Sequence, residues 1–383
     1  MSLHGYTKDF SLDPQHRWLN VASEGPMPKK ANEALQEAIL WKSSPHLLTI
    51  PKFQQVPVKL KETISRLIHV DKEDVILGNS ATYGLHLLAN GLEFKKGDEI
   101  ILLQNDFPTD ILPWLSLCQK GVVVHQLKAQ RYVLSLQELE KAISPRTRLI
   151  CLPLIHSFTG FKQDIKSIGQ LCSSRGILCV VNLSQAAGAF EIDLNQWDID
   201  AVVCAGYKWL LGPYGTGFCW IKKEVREQLN YPQNYWISLM DEASLSHEGP
   251  IQLKDDHSAR RYDVFGTANF FNYVPWQASI EYLLSIGIER VDRHNQILVD
   301  HIIDGLDQKR FDLISPQPKN ERSNIVVFSY KDEIKNPHLF EYLKGKCFHL
   351  ALWKNKLRIS PHIYNTSQEM DALLLELNRY ASK

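Results

Sequence analysis

Residues 148–182 read RLICLPLIHSFTGFKQDIKSIGQLCSSRGILCVVN, and they fix the kind of fold to expect. The flanking runs, RLICLPL (148–154) and GILCVVN (176–182), are continuously apolar rather than alternating, the pattern of strands covered on both faces. Between them DIKSIGQLCSSRG (164–176) reads as a connecting helix that stops at Gly176. Further short apolar runs stand at DVILG (74–78), DEIILLQ (98–104), VVVHQL (122–127) and DAVVCAG (200–206). ATYGLHLLANGL (81–92) places Ala81, Leu85, Leu88 and Ala89 on one helix face and ends at Asn90-Gly91. The chain from 74 to 206 is therefore expected to be α/β and doubly wound. It has a largely parallel sheet, helices on both faces, and ligands at the carboxyl ends of the strands. Downstream, WQASIEYLLSIGIERVDRHNQILVDHIIDGL (276–306) reads as a long helical pair. NIVVFSY (324–330) and KLRIS (356–360) then predict strands of a smaller α+β domain. HEGPIQLKDDHSARRYD (247–263) reads as an exposed excursion.

Composition narrows the partners. The 383 residues carry 43 Lys plus Arg and 43 Asp plus Glu, a formal charge of zero, so no long-range field favours nucleic acid or an anionic membrane. No apolar run reaches bilayer-spanning length, and the first residues hold no stretch like a signal peptide. The seven cysteines form no CxxC pair, so structural thiols in a reducing, cytoplasmic setting are expected, with no metal site.

Chemistry gathers at the strand ends. Asn182 closes GILCVVN, Lys208 follows DAVVCAGY, Ser80-Ala81-Thr82 opens the helix after DVILG, and Asn105-Asp106-Phe107 follows DEIILLQ. A helix N-terminus after a strand favours a phosphate, and Ser80 or Thr82 serves equally well as a plain N-cap. In AGYKWLLGPYGTGFCW (205–220), Lys208 stands between a core strand and a glycine-rich turn. A desolvated lysine has its pKa pushed down, as a Schiff-base nucleophile requires, whereas a lysine whose tip snorkels to water does not. His86 lies mid-helix and reads as structural. His156 follows a strand end and reads either way.

Six segments in order, NVASEGPMP, GNSATYGLHLL, QNDFPTDILPW, the run from VVNLSQAAGAFEI to GPYGTGFCWI, FGTAN, and LRISPHIYNTSQEMDALL, resemble the fold-type I pyridoxal-phosphate (PLP) enzymes of the class V aminotransferase group. That group includes cysteine desulfurases, isopenicillin-N epimerase-like proteins and kynureninases. The resemblance implies an aspartate aminotransferase-like PLP-dependent transferase fold. A mostly parallel seven-stranded sheet would occupy a large domain (18–265), and residues 1–17 with 266–383 would form the small one. It also implies PLP as cofactor, an amino-acid substrate and a homodimer with shared active sites. By the same resemblance Lys208 is the lysine of the internal aldimine. Ala81, Thr82 and Tyr207 match phosphate ligands, and Gly266-Thr267 matches a loop that a neighbouring subunit lends to that phosphate. Phe107 matches the aromatic that stacks on the pyridine ring, and Gln185 the partner of the phenolic oxygen. Arg358 matches the clamp on the substrate α-carboxylate, a task suited to its bidentate fork.

Two positions depart from the group. Asn182 stands where aspartate usually holds the pyridine nitrogen protonated; an amide bonds that nitrogen without supplying charge. This implies slower chemistry, chemistry needing less electron withdrawal, or a fold kept only for binding. Cys347, in KCFHLALWKNKLR, reads as a core residue with no room for the mobile cysteine loop of desulfurases. The expected reaction is at Cα or Cβ of an amino acid, by transamination, epimerisation or elimination, with the freed lysine as general base.

Overall fold

The structure is a computed structural model that describes residues 6–230, 233–236, 240, 246, 248–251, 258–266 and 268–381. After a short strand β1 (Arg17–Trp18), the chain lays down β2 (Val75–Gly78), β3 (Glu99–Leu103), β4 (Val123–Leu127), β5 (Thr147–Pro153), β6 (Leu178–Asn182), β7 (Ala201–Ala205) and β8 (Gly217–Ile221). The last seven form one sheet in the order β2-β8-β7-β6-β5-β3-β4. The neighbours from β4 across to β7 pair in parallel, and β8 is antiparallel to both β7 and β2. The turn Gly212–Thr216 sends β8 back beside β7, as the glycine-rich stretch predicts.

Burial explains the continuous apolar runs. Leu77, Ile101, Ile150, Val181 and Val202 join a cluster with Leu60, Ile64, Ile168 and Trp276 on one face of the sheet. Their neighbours Ile76, Ile100, Cys151, Val180 and Val203 join a second cluster with Leu85 and Leu88 on the other. Each of these strands therefore loses both of its faces to helices, whereas β4, the edge strand read from VVVHQL as another such run, stays partly exposed because the sheet ends there. The helix Ala81–Gly91 sits unusually low on the sheet, because a Cβ at Gly84 would lie 2.7 Å from Val203 Cγ1 and 2.8 Å from Cys219 Cβ. That close approach sets the height of the helix N-terminus above the strand ends.

The second part of the chain behaves as its pattern predicts. The helices Phe270–Ile286 and Ile288–Gly305 form the expected pair, broken at Gly287 (φ 92°). Strands β9 (Phe311–Leu313), β10 (Val326–Tyr330), β12 (Ala351–Trp353) and β13 (Lys356–Ile359) form an antiparallel sheet ordered β12-β13-β10-β9, while β11 (Phe348–His349) pairs with β1. A third cluster, including Leu298, Phe328, Leu357 and Leu373, fills this unit.

One expectation is corrected. Most of 247–258 lies outside the described residues, but the end of the supposed exposed excursion is core: Ala259, Tyr262 and Asp263 are buried. Asp263 accepts the Leu77 N–H at 2.8 Å and pairs with the buried Lys61 ammonium at 2.9 Å. The charged look of the sequence misled because this carboxylate has an interior partner.

Candidate active site

Lys208 follows β7 by three residues and is only 7% exposed. Its Nζ lies 5.1 Å from the centre of the Phe107 ring and 5.8 Å from that of Tyr207. Burial and the nearby Arg358 guanidinium lower its pKa to about 8, against the opposing pull of Asp110, Cys204 and Glu24. An amine so placed is available in neutral form far below the ordinary lysine range. Gly25 presses from above: its N–H donates to the Tyr207 carbonyl at 2.8 Å, and a Cβ there would lie 2.0 Å from the Lys208 carbonyl oxygen.

The structure brings Ala81, Thr82, Phe107, Asn182, Gln185, Tyr207 and Lys208 to the wall of one pocket. Ser80 lines it too and caps the helix, its hydroxyl accepting the Tyr83 N–H at 3.3 Å, so the capping reading and the pocket reading hold together. Gln185 donates to the Ala22 carbonyl at 3.0 Å and accepts the Trp209 indole N–H at 2.7 Å, which locks its side chain.

Sequence reasoning passed over Asp110. Asn182 Nδ2 donates to Asp110 Oδ1 at 2.7 Å, and Asn182 Oδ1 accepts the Ser184 N–H at 2.9 Å. The strand-end amide is thus held between an acid and a backbone donor, and an acid stands one residue behind the position that lacks one. Asp110 and Asp106 are both buried, and burial raises both carboxyls; Asp110's charge raises Asp106 further, so Asp110 is the one that ionises first. The only sequence signal was the second acid of NDFPTD, and nothing in its spacing ties position 110 to 182.

Arg358, on β13, donates to the Ser157 carbonyl at 2.9 Å, to Ser23 Oγ at 2.7 Å and to Asn20 Oδ1 at 3.3 Å. It is 3% exposed, its Nε is unpartnered, and among the described residues no carboxylate pairs with it. Burial lowers its pKa to about 10. A buried guanidinium with neutral partners is poised for an anionic ligand.

The remaining predicted residues fall elsewhere. Gly266 is exposed at φ 77° and does not line the pocket of this chain, and Thr267 lies outside the described residues. His86 is exposed on its helix. His156 is buried but faces an adjoining cavity instead of the Lys208 pocket; Nδ1 pairs with Thr159 Oγ1 at 2.6 Å, and burial lowers its pKa to about 4. Cys347 is not core: it is a half-buried turn residue at φ 60° after the helix Asn336–Gly345. The rest of that interval is taken up by β11, β12 and a tight turn into β13, as the absence of a long loop predicts. Among the described residues no cluster fit for a metal ion occurs.

The family model for class-V aminotransferases matches residues 48–373. The chain belongs to the class-V aminotransferase family. Among curated relatives of this class-V chain, a probable cysteine desulfurase of Methanothermobacter thermautotrophicus is 26% identical, covering 96% of this chain and 95% of that protein. Isopenicillin N epimerase of Streptomyces clavuligerus is 25% identical over 94% of each. Among solved structures, the cysteine desulfurase of Thermococcus onnurineus matches with a TM-score of 0.84 at 20% identity, covering 97% of this chain and 96% of that one. The cystine C–S lyase C-DES with its product cysteine persulfide matches at 0.86 and 19% identity, covering 95% and 97%. At such identities the structural likeness establishes the fold: a class-V, fold-type I architecture with a large mixed sheet and a smaller C-terminal unit.

Proposed function

We propose that this class-V chain is a PLP-dependent enzyme acting at Cα or Cβ of an amino acid. The observation that carries the reading is the pairing of two buried cations with complementary vacancies in their bonding. Lys208 is a desolvated amine facing an aromatic ring, and Arg358 is a guanidinium without an acid among the described residues. The pocket residues fit the cofactor. The N-terminus of helix Ala81–Gly91, with Ala81, Thr82 and Tyr207, would hold its phosphate. Phe107 would cover the ring, Gln185 would face the phenolic oxygen, and Asn182 backed by Asp110 would face the ring nitrogen.

Bound there, PLP supplies the electron sink for charge developing at Cα. The protein does the rest. Arg358 grips the α-carboxylate and so fixes which bond at Cα stands ready to break. Lys208, buried and with its pKa lowered to about 8, would be suited to taking a proton from Cα and returning it. Asp110 lends the Asn182 amide a negative backing, which argues against a site kept for binding alone.

Elimination at Cβ is favoured over persulfide transfer through a loop thiol, because Cys347 sits in a turn and Cys204, the thiol near Lys208, has its pKa pushed up by burial. Hydride reduction of the cofactor-loaded protein followed by peptide mass spectrometry is expected to place the adduct on Lys208, and a panel of amino acids to give turnover that Arg358→Gln abolishes. An adduct elsewhere, or none, would overturn the reading.

A further inference from the structure

Beside the Lys208 pocket lies a separate cavity of roughly 290 Å³, walled by the ends of β3 and β4, the 156–159 loop and the tip of the β12–β13 hairpin. Its walls are rings: Tyr132 stacks at 6.3 Å on the imidazole of His156, and Trp353 packs at 5.8 Å on Phe158. Tyr132 and Trp353 are nearly half exposed, so the cavity opens to solvent between them. Its rim is cationic. Lys354 Nζ lies 4.1 Å above the Phe158 ring and donates to the Asn105 carbonyl at 2.7 Å, while Lys128 is exposed and makes no ion pair among the described residues. A third lysine, Lys356, is already paired with Glu333.

Two more features mark the place as built for a ligand. The Nε2 of His156, a residue 3% exposed, is buried without a well-formed hydrogen bond, since the Asn105 backbone that acts on this ring already accepts from Lys354. Lys354 (φ 49°) and Asn355 (φ 58°) hold the left-handed backbone that a two-residue hairpin turn requires and Asn105 (φ 65°) adopts it readily, but at Tyr132 (φ 67°), on the cavity wall, no such turn accounts for it. Tyrosine rarely adopts it, and such strain gathers where ligands are clamped.

We infer that this cavity is a second binding site, for a small aromatic carboxylate whose ring lies among Tyr132, Phe158 and Trp353 and whose charge meets Lys128 and Lys354. The volume suits one bicyclic ring, the aromatic walls select a flat apolar body, and the two lysines select an anion. The site bridges the large-sheet loops and the β12–β13 hairpin, so a bound molecule ties the two units together. It also touches the catalytic pocket: the Phe158 ring lies 6.2 Å from that of Phe107, the ring facing Lys208. Occupancy is therefore felt at the reaction centre without blocking it.

The probe is 2-naphthoate, with neutral 2-naphthamide as control, titrated calorimetrically into the cofactor-loaded protein. The expected result is a naphthoate Kd below about 1 mM, naphthamide at least tenfold weaker, and about tenfold weaker naphthoate binding in Lys128→Gln and again in Lys354→Gln. Lys128 is exposed, so its variant keeps the test open if the hairpin variant fails to fold. Crystals soaked in 2-naphthoate should show density between Tyr132 and Trp353. Binding indifferent to both lysine variants, equal affinity for the amide, or density beside Arg358 would each overturn the inference.

Discussion

At Lys208 a single buried ammonium sets the pH behaviour of the whole site. The folded state releases this proton near pH 8, whereas an ordinary lysine holds it to 10.5. The nucleophilic form therefore appears as pH rises through 8. The rate at which apoprotein captures PLP, followed by absorbance, is expected to climb with a midpoint near 8. Because Arg358 lowers the value and Asp110 raises it, Arg358→Gln should move the midpoint up and Asp110→Asn should move it down. Between 8 and 10.5 the unfolded chain binds the proton and the folded one does not, so this group's contribution to apoprotein stability grows with pH across that window. A midpoint near 10.5 in the wild type would remove the argument.

Asn182 supplies the second residue-scale prediction. Restoring the family's aspartate by Asn182→Asp sets two buried carboxyls at the present 2.7 Å contact with Asp110. One of them must keep its proton, so its folded-state pKa rises above the unfolded value and the variant loses stability as pH climbs from about 4 to 7. The Tm deficit should be small at pH 4.5 and larger at pH 8. The exchange Asn182→Asp with Asp110→Asn should recover it. A deficit flat with pH would show that the two side chains do not communicate.

Among elements, the contact that ties the helix Ile50–Ile68 to β2 is the buried Lys61–Asp263 pair. Asp263 also holds the Leu77 N–H, so it fixes the strand that leads into the Ser80–Thr82 corner. Asp263→Asn leaves the Lys61 charge buried and unpaired, a loss of about 3–5 kcal/mol. Adding Lys61→Met should return most of it, read from the denaturation midpoint at constant slope. The parallel strands, the helices between them and the glycine-rich return were legible in the sequence because each rests on local periodicity and turn chemistry. Lys61 with Asp263, and Asn182 with Asp110, were not. Such pairs are made across 202 and 72 positions, and no local pattern encodes which buried acid will meet which partner. Lys208, Phe107 and Asn182 were found because strand ends converge by topology. His156 read either way because one residue's step along a loop decides which of two neighbouring cavities it lines.

For the molecule as a whole, we propose the homodimer that the family resemblance implies. Tyr214, six residues after Lys208, and Phe265, next to Gly266 in the chain, are 75% and 62% exposed. Large rings left in water beside a functional loop are the kind of surface that a second copy covers. Sedimentation equilibrium is expected to give about twice the 44.0 kDa chain mass, and Phe265→Asp to shift the distribution toward single chains. A wild-type species of one chain mass at micromolar concentration would dispose of the proposal.

The Arg358 guanidinium is held by groups at positions 20, 23 and 157, so its surroundings exist only after the first strand region, the middle of the sheet and the closing hairpin have met. Ribosomal synthesis delivers these parts at opposite ends of the production line. The amine at 208 and every strand of the sheet around it are made by position 221, whereas the guanidinium comes 150 residues after that amine and must enter a cradle laid down long before it. The order of synthesis thus lays down the wall of the amine's pocket first and adds last the group proposed to orient an amino acid.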